Sequence, residues 1–234
     1  MPATRSVLTR LKRGRLDVKG RLAGSSNLTF LGEVTLDGVA SRVVYKPVRG
    51  ERPLWDFPRG LYKREVAAWA LSEALGWGLV PPTVTRDGPL GRGSVQLFVD
   101  ADFEQHYFTL REDRRHQTTL ARICLFDVLA NNTDRKSGHC LLGRDGRVYA
   151  IDNALTFHPE WKLRTVIWDY GGERIPASLL DDVRRFRAAD LPASLADLLL
   201  PAEQEALRDR VDLVLSAGHF PVDPSGERYP WPLV

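Results

Sequence analysis

Asn132-Thr133-Asp134-Arg135-Lys136-Ser137-Gly138-His139 is a polar run between two apolar ones, and eighteen positions after Asp134 the chain reads Ile151-Asp152-Asn153. Upstream, Leu120, Ile123, Cys124, Asp127 and Val128 recur at helical spacing, which predicts a helix over residues 118–131. Downstream, Cys140-Leu141-Leu142 and Val148-Tyr149-Ala150-Ile151 flank a glycine-bounded turn at 143–146, a strand pair. The order helix, polar loop, hairpin sets one aspartate before the hairpin and one at its end. Two carboxylates held at the base of one hairpin can divide labour: one accepts a hydroxyl proton, the other holds a metal ion. Magnesium takes one or two carboxylates together with phosphate oxygens, so such a pair binds metal with nucleotide better than metal alone. Taken singly, each aspartate reads sooner as a cap, Asp134 of a turn and Asp152 of a strand end.

Towards the N-terminus the pattern turns to β. A short basic helix over 7–13 precedes alternating stretches at 16–22 and 28–36, with Gly24-Ser25-Ser26 as the turn between them. Asp37-Gly38 is a hairpin signal, followed by the β-branched run Arg42-Val43-Val44-Tyr45-Lys46. After a Pro/Gly-rich loop, Leu61, Val66, Trp69, Ala70, Ala74 and Leu75 predict a helix over 61–75, with Gly76 suited to its C-terminal cap. Strands are expected at 80–84 and 94–99, joined by a turn over 87–93. Beyond the hairpin the chain reads as helices at 177–187, 191–200 and 202–216, two of them opened by proline. The proline-bearing tail 221–234 reads as extended or disordered.

A β-rich front and an α-rich back predict an α+β, two-lobed architecture. A small antiparallel lobe with one helix occupies 1–98, a mainly helical lobe 99–220, and the tail 221–234, the whole forming one domain. In 234 residues, 43% hydrophobic and 27% charged residues are ordinary for a soluble globular protein. No apolar run is long enough for a membrane span, and the basic N-terminus is unlike a secretory signal, so a cytoplasmic location is expected. A formal charge of only +3 argues against a nucleic-acid partner. The two cysteines, Cys124 and Cys140, read as packed thiols rather than a disulfide or zinc framework. The sequence carries no signal of oligomeric state.

Lysine occurs at six positions only, and Lys46 ends a strand nineteen positions before Glu65 on the first long helix. A helix carboxylate can hold a cleft lysine so that its charge reaches nucleotide phosphates. Gly24, Ser25, Ser26 and Asn27 form a small-residue turn whose backbone amides can approach phosphate. Turn, strand lysine, helix glutamate, crossover strand, loop aspartate and hairpin aspartate follow one another in the order of parts of a kinase-like phosphotransferase.

On these residues the chain resembles a small bacterial member of the phosphatidylinositol 3/4-kinase-related (protein-kinase-like) group. Phe126-Asp127-Val128-Leu129-Ala130-Asn131-Asn132-Thr133-Asp134-Arg135 resembles the catalytic loop of type II phosphatidylinositol 4-kinases and of the Golgi secretory-protein kinases. Ile151-Asp152-Asn153-Ala154-Leu155-Thr156-Phe157 resembles their metal-binding segment. The resemblance covers residues 20–160 and implies roles. Asp134 would orient or deprotonate the acceptor hydroxyl, and Arg135 would neutralise charge near the transferred phosphoryl or serve structure alone. Asp152 would ligate Mg2+, Lys46 held by Glu65 would contact the α/β phosphates, and Gly24 to Asn27 would cover them. Gln96, Leu97, Phe98 and Val99 would form the hinge that binds adenine. The pattern departs at His139, where kinases place a metal-binding asparagine; imidazole suits Mn2+ better than Mg2+.

The expected activity is an ATP- and metal-dependent transfer of the γ-phosphoryl group to a hydroxyl of an unidentified protein, lipid or small-molecule acceptor. A non-catalytic nucleotide-binding module and an AMP transferase are the alternative readings. Fold and phosphate chemistry transfer more readily than acceptor identity.

Overall fold

The computed structural model describes residues 2–22 and 27–234. Helix α1 (Pro2–Arg13) leads into β1 (Arg15–Arg21), β2 (Phe30–Leu36) and β3 (Val39–Pro47), then α2 (Leu61–Ala74), β4 (Thr83–Gly88) and β5 (Gly91–Leu97). These strands form one antiparallel sheet in the order β1-β2-β3-β5-β4. Asp37 and Gly38 turn the β2–β3 hairpin with φ of 50° and 75°, the left-handed pair that suits a two-residue connection between twisted strands. Leu11, Leu16, Val34, Val43, Tyr45, Val84 and Val95 form a small core between α1 and this sheet.

The turn expected at 87–93 is shorter than its composition implies. β4 and β5 pair as far as Gly88 opposite Gly91, leaving only Pro89 and Leu90 to turn. The flanking glycines serve close packing instead. A Cβ on Gly88 would stand 2.9 Å from the Tyr45 ring, and one on Gly93 would collide with the Lys46 carbonyl. β4 also starts later than expected, at Thr83, behind Pro81-Pro82.

The second half begins with β6 (Ala101–Asp102) and the short helix α3 (Tyr107–Leu110), neither foreseen. Then come α4 (Gln117–Ala130), β7 (Cys140–Gly143), β8 (Val148–Ala150), α5 (Ala177–Ala188), α6 (Ala193–Ala196) and α7 (Pro201–Ala217). β6, β7 and β8 make a three-stranded antiparallel sheet. The helix expected over 191–200 is a single turn, α6, opened by Pro192. Cys124 and Cys140 are free and buried.

Helix α2 departs from a simple amphipathic pattern: ten of its residues are buried, Arg64, Glu65 and Ser72 among them. It is covered on both sides, by β4 and β5 of the first sheet and by α4 and α6 of the second lobe. Ala67, Ala68, Leu71 and Leu75 belong to the larger core, with Leu120, Ile123, Phe126 and Leu129 of α4 and Leu207 and Val211 of α7. The chain has a two-lobed, kinase-like fold. The tail 221–234 is tied down rather than loose. The Arg228 carbonyl accepts from Thr165 N (3.2 Å) and Trp168 Nε1 (3.0 Å), and the Leu233 carbonyl accepts from Ser137 N (2.8 Å).

Candidate active site

The polar loop forms because α4 stops at Asn131, a residue with φ of 50° that caps the helix in left-handed geometry. The Asn131 side chain donates to the carbonyls of His158 and Glu160, at 2.9 and 2.6 Å. Asn132 then bridges inward and forward, donating to Asp127 at 3.0 Å and accepting from the Asp134 amide at 3.0 Å. Loop and hairpin are clamped by Arg135. Its guanidinium forks onto both oxygens of Asp127 at 2.9–3.1 Å and donates to the Ile151 carbonyl and to Asn153 Oδ1, each at 2.7 Å.

Arg135 and Asp127 are both fully buried. Arg135 therefore faces the interior, and the role of neutralising a transferred phosphoryl group is corrected: every direction its fork can reach is taken by protein acceptors. Burial alone would lower the Arg135 pKa, but the Asp127 carboxylate outweighs it and holds the cation. The motif's arginine is a brace.

Lys46 of β3, Glu65 of α2, Asp134 and His139 of the polar loop and Asp152 after β8 come together from four separate segments. Lys46, on the last turn-facing stretch of β3, makes a short contact to Glu65 Oε1 and a 2.7 Å contact to Asp152 Oδ1. Glu65, almost fully buried on α2, accepts with its other oxygen from the Asn153 amide at 3.1 Å. One glutamate thus holds the lysine of the first sheet and the aspartate segment of the second lobe. Burial opposes the charge on Lys46, yet the Asp152 and Glu65 carboxylates raise its pKa above the ordinary lysine value. The reciprocal pull of Lys46 depresses that of Asp152. Asp152 itself has φ of 55°, an uncommon backbone state for a residue with a side chain.

Asp134 differs. Its carboxyl is partly buried, and desolvation pushes its pKa up to about 6 although Lys136 stands 3.7 Å away. The nearby Asp152 charge adds to the rise. His139 packs behind it, Nδ1 3.0 Å from the Asp134 carbonyl oxygen and 3.3 Å from the Lys136 amide. On its other side Nε2 stands 3.5 Å from Asp152 Oδ2. Burial lowers the His139 pKa to about 4, which keeps the ring neutral at pH 7.

Nε2 and the Asp152 carboxylate border the same space, and the tautomer with its proton on Nδ1 leaves both able to accept a cation there. The donor set fits a divalent ion shared with nucleotide phosphates rather than a closed cage. The Asn153 side chain is consumed by Arg135, and among the described residues no group of three or more His, Cys, Asp and Glu side chains forms a metal cluster.

The remaining expectations divide. Gly24, Ser25 and Ser26 lie outside the described residues. Asn27 accepts from the Arg52 amide at 2.9 Å, a tie to the following loop. Gln96 donates across the sheet to Thr83 Oγ1 at 2.9 Å. The Phe98 amide donates to the Arg42 carbonyl at 3.0 Å, and the Arg42 guanidinium covers the Phe98 ring at 4.6 Å. Phe98 N–H is therefore not free to meet a base, while the Val99 amide has no partner among the described residues. Sequence reasoning missed Asn153 and the buried pair of Arg64 with Glu203, which joins α2 to α7. Asn153, beside the aspartate, carried a signal; a pair 139 positions apart carried none.

Arranged this way, the two lobes define a protein of kinase-like fold. Over 92% of this chain and 87% of the other, it resembles the structure of hydra Fam20 with sugar, with a TM-score of 0.60 at 15% identity. It also resembles the Helicobacter pylori proinflammatory kinase CtkA, with a TM-score of 0.51 at 11% identity over 90% and 94% of the two chains. No family model matches the sequence. The chain belongs to the family of protein Rv2133c of Mycobacterium tuberculosis, to which it is 41% identical over an alignment of 257 residues covering 94% of this chain and 92% of that protein. No described helix is long and apolar enough to cross a membrane.

Proposed function

We propose that this protein is an ATP- and divalent-metal-dependent phosphotransferase that moves the γ-phosphoryl group to a hydroxyl of a protein, lipid or small-molecule acceptor, with the cleft between the segments 1–98 and 99–220. One observation carries the reading: Lys46 stands between Glu65 and Asp152 while Asp134, of raised pKa, waits on the neighbouring loop. Structural carboxylate pairs have no need of a lysine drawn between two lobes, whereas phosphoryl transfer needs a positioned cation, a metal-holding carboxylate and a base.

Lys46 would exchange its contact with Asp152 for the α/β phosphates and keep Glu65. Asp152 and His139 would hold the divalent ion, which when bound neutralises charge on the phosphate oxygens. Asp134 would accept the acceptor's proton as its oxygen bonds to the γ-phosphorus and ADP departs. A carboxylate of pKa about 6 is ionised at neutral pH and a stronger base than an ordinary aspartate. Val99 offers the open backbone amide for adenine. His139 in place of asparagine favours Mn2+ over Mg2+, and it is also the observation that supports a second reading, a nucleotide-binding module without turnover.

Calorimetric titration of ATP, with Mg2+, with Mn2+ and without metal, tests this on wild type and Asp152→Ala. Metal-dependent binding that disappears in the variant is expected. Absence of ATP binding with every metal overturns the proposal. Binding without γ-phosphoryl turnover against any hydroxyl acceptor supports the second reading, and product labelled from α- rather than γ-labelled ATP identifies AMP transfer.

A further inference from the structure

A cavity of about 460 Å³ lies away from the cleft, between the Trp77–Leu79 segment after α2, the start of α4 and the β7–β8 hairpin; none of the candidate active-site residues lines it. Its volume is within the range of small-ligand pockets, roughly 300–1,000 Å³. The wall is basic. Arg115, His116, Arg122 and Arg147 line it together with Thr119, and no carboxylate does.

The charge balance of these side chains is uneven. Arg115 is neutralised by Asp113, whose Oδ2 accepts from its Nε at 2.9 Å and Nη2 at 2.6 Å and also stands 4.0 Å from His116 Nε2. Arg147 spends one donor on the Gly78 carbonyl at 2.8 Å and lies over the Tyr149 ring at 5.1 Å. That leaves four of a guanidinium's five N–H groups uncommitted by these contacts. Arg122 has neither an ion pair nor a hydrogen bond among the described residues, and its Nε is fully buried without a partner. A partly buried cation with no counter-charge is costly, and buried polar groups in folded proteins are satisfied almost without exception.

The start of α4 adds donors. His116 contributes no side-chain cap, and the amides of Thr118 and Thr119 have no acceptor among the described residues. An unpaired arginine and a hydroxyl around one concavity, with a free amide on the residue that carries the hydroxyl, are what a multiply charged anion requires.

We propose that this cavity is a second ligand site, distinct from the nucleotide cleft, that takes a small multiply charged anion, a phosphate ester or polycarboxylate, with Arg122 as its principal counter-charge. Enclosure by three segments favours a compact ligand over a polymer.

The test is calorimetric titration of the full chain with inorganic pyrophosphate and, in parallel, with citrate, in buffer stripped of divalent metal on a chelating resin so that metal-dependent binding in the cleft is silent. Saturable one-to-one binding of at least one of the two is expected in wild type and equally in Asp152→Ala. It should weaken at least tenfold in Arg122→Met and recover in part in Arg122→Lys. Thr119→Asp, which adds a carboxylate to the lining in the first turn of α4, where an acidic side chain suits the helix N-terminus, should weaken it too and guards against misfolding of the Arg122 variants. The better-bound probe identifies the anion class. Absence of saturable binding by both, undiminished binding in Arg122→Met and Thr119→Asp, or loss in Asp152→Ala overturns the second site. Failure here leaves the ATP titration unaffected, so the two proposals stand or fall separately.

Discussion

Asp134 concentrates the chemistry of the loop in one titration. Its raised pKa means that the fold prefers the protonated acid, so ionisation costs stability above about pH 6 and costs nothing below the unfolded value of about 4. Asp134→Asn is therefore expected to be more stable than wild type at pH 7.5, with the gain vanishing below pH 4 in denaturant titrations. The gain should be about 1–2 kcal/mol, less than the ~3 kcal/mol that two full pH units imply, because the carboxyl remains partly exposed to solvent. Turnover should rise with pH through about 6 in wild type and fall by about 100-fold or more in Asp134→Asn, as measured by γ-phosphoryl transfer. At the neighbouring position His139→Asn exchanges an imidazole for an amide oxygen. ATP affinity supported by Mg2+ should rise relative to that supported by Mn2+, and an unchanged ratio would remove His139 from the metal site.

The helix–loop–hairpin element is braced by a buried ion pair between Arg135 and Asp127. Arg135→Met would strand the Asp127 carboxylate in the core with Asn132 as its one remaining donor. A loss of about 3–5 kcal/mol is expected in urea unfolding, with the soluble fraction retaining nucleotide affinity in proportion to its folded population. This element was the most legible in the sequence. Its helical spacing, the polar run and the paired short strands are local signals, and local signals predict local structure. The β4–β5 hairpin was misread at its turn because Gly88 and Gly93 look like turn formers, whereas each leaves room for a neighbour on another strand. Such a glycine cannot be told from a turn glycine until the partner strand is known. Arg135 shows the same limit at the site: its place beside Asp134 indicates the motif, but only the fold around Asp127 says which way the guanidinium turns.

At the scale of the molecule, α2 is where the two lobes meet, and two adjacent residues make it so. Glu65 looks towards Lys46 and Asn153, while Arg64 donates to the Thr156 carbonyl at 3.1 Å and pairs with Glu203 of α7. Glu203→Gln leaves the buried Arg64 cation without its counter-charge, so destabilisation of about 3 kcal/mol or more is expected by thermal or urea unfolding. Metal-dependent ATP affinity should fall several-fold in calorimetry as well, although Glu203 is remote in sequence from every cleft residue, because α2 carries Glu65 next to Arg64. No sequence period links positions 64 and 203, and the burial of α2 on both sides hides it from an amphipathic search. The Ser137 amide, three residues beyond Asp134, donates to the carbonyl of Leu233, 96 positions downstream. The loop that bears Asp134 is thus latched by a stretch nearly a hundred residues away, so a proteolytic cut between α7 and Leu233 should loosen it while both sheets stay paired.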